Sequence, residues 1–144
     1  MCGEHVVKEM IIFSVVKSKR GVSKMEFVHN AGKLAAFTIK RCVNFPKRYT
    51  FFISDRLANM ASEVYTNVIR ANNIYAKNQH DAQIRIDFLV DARGLLYALI
   101  SQIGIARELF TINDNVMEEW MTLINTEISL INGVIKNDRR KFGL

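Results

Sequence analysis

Glu26-Phe27-Val28-His29 is the stretch of this chain that comes nearest to a metal-binding pattern. A glutamate and a histidine three apart share one face of a helix. Helical bundles that hold two metal ions use two such pairs, plus a carboxylate from each of the other helices. The second pair is missing, because Cys2 and Lys77 stand three residues before His5 and His80. Glu26 and His29 therefore read as surface residues, and no metal site is expected. A nucleophilic cysteine needs a histidine beside it in space. Cys42 falls instead on an apolar helical face, where a core thiol is expected. Cys2 and Cys42 lack CxxC spacing, so they suggest neither a zinc site nor a disulfide framework. No serine lies in G-x-S-x-G, and neither G-x-x-x-x-G-K-[ST] nor G-x-G-x-x-G occurs. The expectation is a non-enzyme with no catalytic residues and no cofactor.

The cations are more informative. NFPKRYTFF, residues 44–52, holds the only proline, two adjacent cations (Lys47 and Arg48) and four aromatic rings. Lys33, Lys40 and Lys47 are seven apart, as are Arg56, Glu63, Arg70 and Lys77. A seven-residue step drifts only about 20° on a straight helix, so each set forms a stripe. A solvated face is the ordinary reading of such a stripe. The imbalance lifts the alternative, because Lys33, Lys40, Arg41, Lys47 and Arg48 face Glu26 alone. Such a surface suits phosphates, bound by charge and counterion release with little reading of bases. Tyr49 is the ring assigned to base stacking. Phe45, Phe51 and Phe52 are expected to close the core.

Four helical patterns position these residues. The first runs from Glu26 to Phe45, with Phe27, Ala31, Leu34, Thr38, Cys42 and Phe45 inward, and stops before Pro46. The second starts within TFFISD; Leu57, Met60, Ala61, Val64, Tyr65, Val68 and Ile69 make its apolar face, with Tyr75 near its end. The third spans about Asp81 to Leu109, with Asn78 or Gln79 just outside it. Its apolar arc, from Ile84 and Phe88 to Ile103 and Ala106, is wide enough to need more than one neighbour. Close helix approach is expected at Gly94 and Gly104, and Asp81, Asp87 and Asp91 are placed to neutralise Arg85 and Arg93. Asn113 caps the fourth helix, which turns Trp120, Leu123, Ile124, Ile128, Ile131, Val134 and Ile135 inward. Acids at its start and Arg139, Arg140 and Lys141 at its end suit the helix dipole without any function.

The totals fit this reading. The 144 residues carry 49% hydrophobic side chains, 7 glycines, 1 proline and a net charge of +6. That composition favours one domain of long elements over a turn-rich β fold, and the charge attracts polyanions. The fold expected is all-α, an antiparallel up-down four-helix bundle over 26–142. Residues 1–25 form an N-terminal extension, an arm or a short strand, and Met25 offers an alternative start. The short apolar run Met10–Val16 lacks the flanks of a signal peptide, and no apolar run reaches about 18 residues. A cytoplasmic protein without a membrane role is expected.

FPKRYTFF, LANMASEVYTNVIRANNIY, DARGLLYALISQIGIARELF and VMEEWMTLINTEISLINGVIKNDRRKF complete the picture. Together they resemble the four-helix-bundle superfamily encoded in ribosomal-RNA intervening sequences. Within it, the chain is more similar to the accessory variability determinant proteins of diversity-generating retroelements. The resemblance covers about residues 26–142 and rests on aromatic, apolar and basic positions. It implies a non-catalytic, ring-like homopentamer with a basic surface. The implied partners are RNA or DNA and the element's reverse transcriptase, in mutagenic cDNA synthesis from template RNA. Lys33, Lys40, Arg41, Lys47, Arg48, Arg56, Arg70, Lys77, Arg139, Arg140 and Lys141 are the positions that fit nucleic-acid binding. The competing expectation is a structural or protein-interaction oligomer, encoded in an intervening sequence or mobile element, with no nucleic-acid role.

Overall fold

The computed structural model describes residues 22–144. They form four long helices: α1 (Val22–Cys42), α2 (Asp55–Asn72), α3 (Gln79–Leu109) and α4 (Asp114–Phe142). No strand occurs among the described residues. The expected arm or strand over 1–25 lies outside the described residues, except that its last four residues open α1.

Local chemistry sets the helix ends. α1 stops at Cys42, a turn earlier than expected, because Pro46 constrains the residues before it. The chain there tightens through Asn44 N–H to Arg41 C=O and Phe45 N–H to Cys42 C=O, at 3.1 and 3.2 Å. A short 3₁₀ turn over Lys47–Tyr49 and a wide π turn over Thr50–Ser54 then run straight into α2. Asn78 Oδ1 caps α3 by accepting from Asp81 N–H at 2.9 Å. Asn113 Oδ1 caps α4 by accepting from Asn115 N–H at 2.8 Å. Gly143 ends α4 at φ 68°, a left-handed conformation that costs glycine little.

Each helix packs against its neighbours in sequence, and α1 against α4 closes the cycle. The core between them holds Leu34, Leu57, Leu89, Leu96, Leu99, Ile103, Ile124 and Ile131, all without solvent exposure. Each such side chain contributes about 1.5–3 kcal/mol by leaving water. Aromatic rings close one end: Phe45 lies 4.8 Å from Phe110 and 6.3 Å from Trp120, and Tyr49 stacks on Phe110 at 5.5 Å. At the other end Gln79 Nε2 donates to Phe142 C=O at 2.9 Å, joining the start of α3 to the end of α4.

Three polar ties cross the core. Trp120 Nε1 donates to Thr38 Oγ1 at 3.0 Å. Asn30 Nδ2 donates to Leu123 C=O at 3.0 Å and to Glu127 Oε2 at 2.9 Å. Arg85 Nε donates to Asp138 Oδ2 at 2.7 Å, its Nη2 donates to Asp138 Oδ1, and its Nη1 reaches Ile74 C=O at 3.2 Å. Arg85 is therefore neutralised by α4 and not by Asp81, Asp87 or Asp91. Two of those acids are drawn elsewhere: Asp81 accepts from Lys77 N–H, and Asp87 from Gln83. Arg93 donates to Asn132 Oδ1 at 2.8 Å.

The glycines also differ from expectation. A Cβ at Gly94 or Gly104 meets nothing within 4 Å, so neither permits close approach inside the chain. Gly32 does, because a Cβ there would stand 3.3 Å from the Tyr65 ring.

Candidate nucleic-acid interface

The cations divide between the two ends of the helices. Lys40, Lys47, Arg48 and Arg56 gather where α1 ends and α2 begins, and all four are exposed. Arg70, Lys77, Arg139, Arg140 and Lys141 lie towards the other end, where α2 and α4 finish, and these too are exposed. Lys33 stands exposed midway along α1. The two stripes thus run along their helices, but the cations concentrate in two separate patches.

Several of these groups have partial partners. Arg41 is half-buried, with Cζ 4.9 Å from the centre of the Phe37 ring and a buried Nε that lacks a hydrogen-bond partner. It packs, and is less open to solvent than the other cations of the corner. Arg48 Cζ lies 5.8 Å from the Tyr49 ring, Arg70 Cζ 5.8 Å from Phe88, and Lys77 Nζ 5.9 Å from Tyr75. Arg140 Nη2 donates to Asn137 at 2.9 Å, and Lys141 Nζ lies 5.4 Å from Phe142. Among the described residues the one ion pair is Arg85–Asp138. Lys40, Lys47, Arg48 and Arg56 are therefore exposed and outside any ion pair among the described residues, whereas Arg41 is partly withdrawn over Phe37.

The aromatic roles in the corner are exchanged, except that Phe45 closes the core as expected. Phe45 and Tyr49 pack inward against Phe110. Phe51 and Phe52, expected to close the core, are 83% and 68% exposed. The wide turn that carries them explains this, because it spends its inward positions on Ile53 and Ser54, which are buried. Tyr75 also faces solvent, whereas Tyr65 is only partly exposed and lays its ring against Gly32.

The remaining candidates for chemistry are dispersed. Among the described residues no three of His, Cys, Asp and Glu gather as metal ligands. His29 is half-buried on α1, and burial and then Lys33 push its pKa down, against the pull of Glu26. Burial, and then Asp55, push the Cys42 thiol up to about 12, far from a reactive thiolate. Sequence reasoning missed Asn30, Glu127 and Asp138. Their one sequence signal is position: each falls on the inward face of a helix whose neighbours on that face are apolar. A groove of about 510 Å³ opens beside the Arg85–Asp138 pair, between Phe27, Tyr75, Leu130 and Lys141.

α3 is long and apolar enough to cross a membrane, yet under a third of its most apolar stretch is buried. Tyr97, Ile105 and Leu109 face solvent along it. The fold and surface define an all-helical, bundle-like protein with two basic ends and an uncovered apolar helix face. No protein-family model, curated protein or solved structure matches the chain.

Proposed function

We propose that this chain is a non-catalytic nucleic-acid-binding accessory protein of a diversity-generating retroelement. In this reading it partners the element's reverse transcriptase and supports mutagenic copying of template RNA into cDNA. It acts in the cytoplasm as a ring-like homopentamer of antiparallel, up-down four-helix bundles. The sequence resemblance supplies the retroelement context, the pentamer and the partner. The observation that carries nucleic-acid binding is the corner of Lys40, Lys47, Arg48 and Arg56, exposed and free of ion pairs among the described residues. Phosphates are matched by such a surface through counterion release, which requires no base-specific contact.

The test is fluorescence anisotropy with a structured RNA across a salt series. Wild-type affinity should fall steeply as salt rises. K47E/R48E should weaken binding and flatten the log–log salt slope by about 1.4–1.8, at roughly 0.7–0.9 per lost phosphate contact. An unchanged slope removes the corner from the interface.

The second reading is an interaction oligomer with no nucleic-acid role, and the uncovered face of α3 favours it. Light scattering separates the two. A pentamer that grows with RNA in a salt-sensitive way supports the accessory protein, and an oligomer indifferent to RNA supports the alternative.

A further inference from the structure

The geometry points to a single-strand-selective site at the α1–α2 corner, where Phe51 and Phe52 stack on the unpaired bases of RNA or DNA. This rests on the nucleic-acid reading above and narrows its ligand to single strands. Phe51 and Phe52 are 83% and 68% exposed, although water disfavours rings of this size on a surface. Their exposure is built in. Ile53 and Ser54, the next two residues of the same turn, are buried, and the turn runs directly into α2. The rings are therefore held outward from an anchored backbone.

Their neighbours name the ligand. Lys47 and Arg48 precede the two rings by four residues each, and Arg56 follows Phe52 by four. All three cations are exposed and outside any ion pair among the described residues. Lysine is depleted in protein interfaces, and burying Lys47 with Arg48 and Arg56 without acidic partners would strip the water of three like charges. A single strand uses both features, since its phosphates meet the cations while its base faces meet the rings. A duplex already stacks its bases on one another and offers only phosphates. Adjacent residues in a helical turn diverge, so the two rings give separate platforms and not one sandwich.

The experiment compares a fluorescent oligouridine of about 16 nucleotides with a duplex hairpin carrying the same number of phosphates. Wild-type protein, F51A/F52A and F51Y/F52Y are titrated at several salt concentrations. Both side chains are exposed, so neither variant should unfold; circular dichroism checks this. F51A/F52A should lose about ten-fold or more in affinity for the single strand, from the loss of base stacking, with duplex affinity and both salt slopes unchanged. F51Y/F52Y should restore binding. Equal losses on both probes, or none, would overturn the stacking site while leaving the basic corner intact. Failure of wild type to bind either probe would overturn the nucleic-acid reading and this one with it. If F51A/F52A instead shrinks the oligomer, or releases the protein from phosphatidylserine vesicles, with oligouridine affinity unchanged, the rings belong to a second copy or to a lipid surface.

Discussion

Glu127→Gln should remove the fall in stability that Glu127 is expected to cause between about pH 5 and 8. The Glu127 side chain is fully buried, with Oε2 accepting from Asn30 and Oε1 unpartnered. Burial raises its pKa from 4.5 to about 8, although the Asn30 hydrogen bond works in the opposite direction. The unfolded chain releases this proton near the lower value, and the folded chain holds it to the upper one. Stability is therefore full below the lower value and is lost as pH rises through the upper one. At about 1.4 kcal/mol per pH unit, the loss is on the order of 5 kcal/mol. That is a large share of the roughly 5–15 kcal/mol that holds a typical domain. Glutamine keeps an acceptor for Asn30 and sets an amide where the protonated Oε1 stood, which adds one more unpaired buried donor at about 1–3 kcal/mol. E127Q should thus be less stable than wild type near about pH 5 and more stable near about pH 9, so that the two curves cross. Urea denaturation followed by circular dichroism across this range measures both. Parallel curves would refute the reasoning, because groups common to the two proteins cancel in the difference.

Thr38→Val keeps the shape of its site but leaves Trp120 Nε1 without an acceptor. It should cost about 1–3 kcal/mol in urea denaturation, with the loss visible as a change in Trp120 fluorescence of the folded state. Asp138→Asn removes the carboxylate that holds Arg85 between α3 and α4. It should cost about 3–5 kcal/mol, and Arg85→Met in the same chain should recover part of that, because no unpaired charge then remains in the site.

The helices were legible because their apolar residues recur at helical spacing. Phe27, Ala31, Leu34, Thr38 and Cys42 all proved buried, as did Trp120, Ile124, Ile128, Ile131 and Ile135. Asn113 as a cap followed from side-chain chemistry that acts within one turn. Pairings between helices were not legible, since they depend on heights and rotations that periodicity leaves free. Asp138 lies 53 residues from Arg85, whereas the acids adjacent to Arg85 in sequence find other partners. The corner was misread for a related reason. Phe51 and Phe52 have the composition of core residues, but a turn wider than an α-helix rotates them outward and brings Ile53 and Ser54 in. The cations of the site were legible as exposed residues, because charge seldom enters a core unpaired. Arg41 departs from that rule by lying over Phe37.

The separation of the two basic patches acts as a ruler. Arg139 lies 25 residues beyond the start of α4 at Asp114, and α4 begins beside the aromatic end of the core. At 1.5 Å per residue the far edges of the patches stand about 38 Å apart, while the near edges, Arg56 and Arg70 on α2, stand about 21 Å apart, the length of about 6 base pairs. A polyanion shorter than this reaches one patch alone, whatever its sequence. A longer one gains the second patch as an intramolecular step, with a jump in avidity and in salt slope at that threshold length. Under the proposed nucleic-acid reading, length, before sequence, is the property by which this surface would sort its ligands.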